Sequence, residues 1–162
     1  MSKSTDTKND SNELLQLVSF KIGNEEFGIN ILMVQEIIKT VQITKIPNAP
    51  VFVEGIINLR GKVIPVIDLR VKLNLEKKNQ DKDTRIIVLE INSKTIGFIV
   101  DEVNEVLRIP KSITEPPPEM VTGLNSEFIT AVGKLDDRLI TLIDLEKVLS
   151  VDEKNQLSND IK

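Results

Sequence analysis

An internal repeat constrains this chain more than any other feature. Residues 20–38 lie on residues 89–107 without a gap, so that Ile22 meets Ile91, Gly28 meets Gly97, Val34 meets Val103 and Glu36 meets Glu105. A second block, VEGIINLRGKVIPVIDL, lies on TAVGKLDDRLITLIDL after a seven-residue insertion and sets Ile67-Asp68-Leu69 on Ile143-Asp144-Leu145. Any two strand-rich segments share an apolar pattern. The ordered return of hairpin, helical turn, proline break, second hairpin and Asp-Leu ending is more than that, and points to duplication. Each half carries about five short strands, enough to close a small barrel and hide its edges. The expected fold is mostly β, with two five-stranded barrel subdomains related by the repeat and very little helix.

The elements follow from local pattern. Residues 1–12 are polar and without period and read as a disordered arm. LLQLVSFKI places Leu14, Val18, Phe20 and Ile22 at even spacing, a strand, and Gly23-Asn24 turns it into EEFGI. Asn30 can cap a helical turn in ILMVQEII with Ile31, Val34 and Ile38 on one face. Ile37, Val41 and Ile43 fit a following strand equally well, and the run does not settle where one stops. Pro47 and Pro50 end any regular element, and FVEGIINL, Arg60-Gly61 and KVIPVIDL then form a hairpin. Pro65, with no N–H for a ladder, is expected at an edge or bulge. LRVKLNL reads as a short helix and EKKNQDKD, residues 76–83, as a solvated charged loop. TRIIVLEI, Asn92-Ser93, KTIGFIV and EVNEVLRI follow, then Pro116-Pro117-Pro118. The hairpin EFITAVGKL–DRLITLIDL, a closing EKVL helix and a polar, fraying tail from Val151 complete the chain. The repeats thus span about 14–75 and 84–150 of a single domain over 14–150, with 151–162 as the tail.

Composition removes whole classes of function. There is no histidine and no cysteine, so the commonest general base, thiolate chemistry and the commonest metal ligands are missing. No metal, cofactor or catalytic residue is expected. The aromatic side chains are five Phe, with neither Tyr nor Trp, and the net charge is −4 with both signs interspersed. Nucleic-acid binding wants a basic stripe and a stacking platform, and neither is present. The first residues lack the apolar core of a signal peptide, and no apolar run is long enough for a bilayer, so a cytoplasmic protein without membrane insertion is expected.

The remaining motifs have plain readings. Asp68 and Asp144 could be paired carboxylates, but each sits at the same strand-to-helix position of its repeat and reads as a cap. The glycines show no phosphate-loop spacing and the acidic residues no calcium-loop spacing. Glu36 and Glu105 read as solvent-facing charges. Arg60, in NLRG at a hairpin tip, is by default a solvated turn residue, although exposed loop residues often bind partners.

The string NAPVFVEGIINLRGKVIPVIDLR, residues 48–70, closely resembles the signature stretch of the CheW family of chemotaxis adaptors. EEFGINILMVQEI resembles the family's opening segment, and GFIVDEVNEVL and ITAVGKLDDRLITLIDLEKVL its later blocks, in order. The resemblance spans roughly residues 14–150. It implies two SH3-like five-stranded barrels around a shared core. It also implies a non-enzymatic adaptor that binds the regulatory domain of the histidine kinase CheA and the cytoplasmic hairpin tips of methyl-accepting chemoreceptors. Such an adaptor is recruited to membrane-associated receptor arrays. Carried over by motif, the receptor contacts fall on Val34 and Glu36 in VQEI, Gly55 in EGI, Asn58 and Arg60 in NLRG, and Val106 in NEVL. Two alternatives remain. One is the coupling part of a CheV-type protein, whose receiver domain would need chain beyond these 162 residues. The other is a carboxylate-based enzyme on a β-barrel scaffold.

Overall fold

The computed structural model describes residues 13–117 and 127–160, and for 158–160 the backbone only. The arm expected over residues 1–12 and the last proline of the triple-proline break, Pro118, lie outside the described residues. The chain forms β1 (Leu14–Ile22), β2 (Glu25–Asn30), a 3-10 turn (Ile31–Met33) and β3 (Val34–Lys39). Then come β4 (Val53–Leu59), β5 (Lys62–Asp68) and helix α1 (Leu69–Lys72). The second half supplies β6 (Arg85–Ile91), β7 (Lys94–Val100), β8 (Glu102–Pro110), a 3-10 turn and β9 (Thr114–Glu115). It ends with β10 (Ile129–Leu135), β11 (Arg138–Ile143), a 3-10 turn at Leu145–Lys147 and helix α2 (Val151–Asp160).

The strands make two sheets, ordered β8-β1-β2-β11-β10-β9 and β3-β6-β7-β5-β4. The repeats do not each close a barrel from their own five strands. They exchange first hairpins: β1–β2 completes the sheet of the second half, and β6–β7 that of the first. Each exchanged hairpin joins its host through one parallel pairing, Gly28 beside Leu142 and Gly97 beside Val66. These are repeat-equivalent positions. A Cβ at Gly97 would lie 2.7 Å from Ile86 Cγ2, and one at Gly28 3.1 Å from Ile140 Cδ1, so a side chain at either position would crowd the packed strand.

The exchange explains the near-continuous apolar runs. One cluster, containing Val18, Phe20, Ile29, Ile67, Ile87, Leu89, Phe98 and Ile143, lies between the sheets. Ile57, Ile64, Val66, Ile86, Val88 and Ile99 fill one barrel. Leu17, Ile109, Ile140 and Leu142 fill the other. Strands such as β6 bury both faces and therefore lack polar alternation.

Local expectations are corrected at four places. ILMVQEII is a 3-10 turn of three residues and then strand β3, so Ile31, Val34 and Ile38 share no helical face. Pro65 is on a central strand. Its neighbour Ile56 turns its own N–H and C=O to Thr44, and the β7 ladder begins only at Val66, so no ladder bond needs the missing donor. The EKVL closing helix is no more than a single 3-10 turn. The tail does not fray at Val151, because α2 forms there and buries Leu157. Ser150 and Glu153 supply its capping box: Glu153 N donates to Ser150 Oγ at 3.1 Å, and Ser150 N donates to Glu153 Oε1 at 2.9 Å.

Candidate protein-binding site

The five-stranded sheet rolls up so that its two end strands meet. Thr44, just beyond β3, exchanges both backbone hydrogen bonds with Ile56 on β4, at 2.9 and 2.8 Å. Gly55 permits this approach, since a Cβ there would fall on the Thr44 carbonyl oxygen and 2.6 Å from Ile43 Cγ2. Gly55 is buried and acts through backbone closeness rather than by offering surface.

Closure sets Glu36 on β3 beside the β4–β5 hairpin tip. A bulge between Val34 and Glu36 re-aims the strand there. Arg60 faces Glu36 fork to fork: Nη1 donates to Oε1 at 3.1 Å and Nη2 to Oε2. The hydrogen bond from Arg60 holds the Glu36 carboxyl below the usual glutamate range, and Glu36 in turn raises the guanidinium. The Arg60 side chain keeps 70% of its exposure.

The turn itself is costly for this residue. Arg60 and Gly61 have φ of 51° and 85°, the left-handed pair that a type I′ hairpin needs. Glycine meets that requirement freely and arginine does not. Asn58 stabilises the turn by accepting a hydrogen bond from Gly61 N at 2.8 Å.

The six positions carried over from the resemblance therefore divide by role. Glu36 and Arg60 form one exposed ion pair, while Asn58 and Gly55 shape the strand and turn that present it. Val34 is half-buried against the core between the sheets. Val106 is 52% exposed on β8 of the other sheet, opposite Val18. In the repeat it corresponds to Ile37, which is 38% exposed on β3. The second half has an analogous ion pair from a non-equivalent position: Arg138 at the β10–β11 tip, which aligns with Lys62 and not with Arg60, lies 3.6 Å from Glu105 and 3.2 Å from Glu26. That pairing was not foreseen, although the match of Glu36 with Glu105 was its signal.

An apolar cleft of about 270 Å³ opens beside the 3-10 turn that leads into β3, lined by Leu15, Leu17, Gly28, Met33, Leu142 and Leu145 among others. Leu32, next to Met33, is 88% exposed. A larger cleft of about 750 Å³ lies between α1 and α2, and neither cleft is lined by any of the six positions. Asp68 and Asp144 are committed locally, each accepting a backbone N–H two residues on at 2.9 Å, from Arg70 and Glu146. Among the described residues no group of His, Cys, Asp and Glu is placed to hold a metal ion. No helix of the described residues is long and apolar enough to cross a membrane.

Two interlocked barrels, with an exposed ion pair and an apolar cleft on their surface, define a scaffold that works by presenting surface. Comparison with known proteins gives the particular family. The CheW-like domain model matches residues 16–153, and the chain belongs to the CheW family of chemotaxis scaffold proteins. It is 41% identical to the chemotaxis protein CheW of Klebsiella aerogenes over 89% of this chain and 87% of that protein. It is 40% identical to the Helicobacter pylori chemotaxis protein CheW, over 88% and 86%. The crystal structure of the scaffolding protein TtCheW from Thermoanaerobacter tengcongensis superimposes with a TM-score of 0.77 at 44% identity, covering 86% of this chain and 94% of that one. The chemotaxis protein CheV3 of Helicobacter pylori is 30% identical, but only 47% of its length is covered.

Proposed function

We propose that this chain couples methyl-accepting chemoreceptors to the histidine kinase CheA, holding both in one ternary complex. The observation that carries the reading is the Glu36–Arg60 pair. It joins two positions 24 residues apart, stands exposed, and is held by a left-handed arginine that no packing requires. Backbone strain kept at an exposed residue is explained by what the side chain does there.

A receptor tip is an antiparallel helical hairpin with an apolar stripe. The cleft beside Met33 can take such a stripe as a helix-in-groove contact, with exposed Leu32 extending it. Arg60 then sets register through its planar fork, which lysine cannot copy. Individual contacts can be modest, because an array of linked partners gains avidity. Recruitment to receptor arrays would place at the membrane a chain whose described residues include no helix long and apolar enough to cross it. The test is capture of a receptor-tip fragment and of the kinase, separately and together. Wild type should bridge them, and Arg60→Ala should lose the receptor arm while keeping the kinase arm. Equal receptor capture by Arg60→Ala and wild type would refute this placement of the site.

A further inference from the structure

Among the described residues the chain crosses between its two sheets twice, at repeat-equivalent places, and the two crossings are built differently. The first runs from β2 to β3 through the 3-10 turn and is held locally: the Asn30 side chain accepts from Leu32 N at 2.9 Å, and Val34 N donates to the Ile31 carbonyl. The second runs from β7 to β8 through one residue, Asp101. Asp101 N donates to Lys21 O at 3.0 Å, and its Oδ2 accepts from Gly23 N at 2.6 Å, both at the β1–β2 turn of the other sheet. Its carboxylate also takes Arg70 from α1, through Nε at 2.9 Å and through Nη2. The remaining Arg70 nitrogen, Nη1, donates to the Glu76 carbonyl at 3.0 Å. Both side chains are largely buried, at 15% and 13% exposure. Four segments thus meet at one ion pair, and they come from both sheets.

The repeat has no second copy of this arrangement. Arg70 corresponds to Glu146, and Asp101 to the exposed Leu32. One crossing is tied by its side chain to the other sheet and to α1, and the other, held by local hydrogen bonds, leads straight into Val34 and Glu36.

We propose that Arg70 and Asp101 are positioning residues that lock the exchanged β1–β2 hairpin to the five-stranded sheet. They thereby fix the angle at which the Glu36–Arg60 face stands to the sheet bearing Val106. They touch no partner and act through the orientation of the sheets. Burial alone would raise the Asp101 carboxyl, but the hydrogen bonds from Arg70 and Gly23 overturn this and hold it below the usual aspartate range. The pair is therefore charged and closed at neutral pH. The consequence for coupling rests on the adaptor reading, whereas the consequence for orientation does not.

The experiment measures amide residual dipolar couplings on the full chain as wild type, Asp101→Asn and the milder Arg70→Lys, with ternary kinase activation in parallel. In wild type one alignment tensor should fit both sheets. In the variants each sheet should keep its own internal fit but need its own tensor, and ternary activation should fall at least about fivefold with separate receptor and kinase binding unchanged. One shared tensor in both variants would overturn the proposal. Loss of each sheet's internal fit in Arg70→Lys would overturn it as well, because the pair would then be a general stabiliser. Unchanged ternary activation despite separate tensors would overturn the coupling claim. A wild type that shows one tensor and no coupling would instead count against the adaptor reading and leave the lock standing.

Discussion

Arg60 shows how a residue can be wrong for its backbone and right for its surface. Because its left-handed φ is one glycine adopts without penalty, Arg60→Gly should melt at or above the wild-type temperature while losing receptor binding. Arg60→Lys should keep the charge and recover only part of the binding. Calorimetric titration beside thermal melts checks both, and a fall in melting temperature for Arg60→Gly would make the side chain structural. Asp68 is the opposite case, a local cap with an electrostatic penalty. Removing the cap, Asp68→Ala, should destabilise by about 1 kcal/mol in urea unfolding. Burial raises the Asp68 carboxyl, ahead of the opposing backbone hydrogen bond from Arg70. With its folded-state pKa above the unfolded one, the folded protein binds this proton more readily, so stability falls as pH rises through that range. Asp68→Asn, which can still accept from Arg70 N, should therefore equal or exceed wild type at neutral pH. Its advantage should shrink as pH drops into the carboxylate range.

Helix α2 carries the prediction at the scale of elements. Leu157 is 4% exposed within the core between the sheets, and Lys72 Nζ grips Glu153 at 2.7 and 2.8 Å while lying over the Phe52 ring. Leu157→Ala should destabilise by about 2–5 kcal/mol, read by urea unfolding, where a frayed tail would show no change. This helix was hidden in the sequence because its stretch is mostly polar and has one apolar anchor. The Ser150-x-x-Glu153 capping box was the legible signal. Strands and turns were easier to read: Gly23, Arg60-Gly61 and Asn92-Ser93 all take left-handed backbone where the sequence marks a turn. The 31–38 run was ambiguous for a physical reason. Its bulge and single 3-10 turn break both the helical and the strand period, and only pairing with β6 decides it.

At the scale of the whole molecule, the repeat was legible as a list of matched residues, but the exchange of hairpins was not. Periodicity identifies faces and cannot say which sheet a hairpin joins. The signal lay in Gly28 and Gly97, glycines inside strand patterns that stand at the two parallel pairings, where a side chain would crowd Ile140 or Ile86. Interlocking predicts that the halves unfold together. Gly97→Ala, crowding Ile86 in the five-stranded barrel, should lower the stability of both sheets in one cooperative transition by about 1–3 kcal/mol. Amide exchange probes in each sheet check this. Of the proposed binding face, the motif resemblance offered six positions but not how the fold arranges them. Arg60 and Glu36 are 24 residues apart, and only barrel closure at Thr44 and Ile56 makes them one site.

The central claim is that one molecule of this chain joins receptor and kinase. Sedimentation of receptor-tip assemblies with the kinase, with and without the chain, tests it most directly. The account predicts that the kinase enters the pellet only when wild-type chain is present, and that Arg60→Gly leaves kinase and chain together in the supernatant. Kinase that sediments equally without the chain, or with Arg60→Gly in place of wild type, would contradict it.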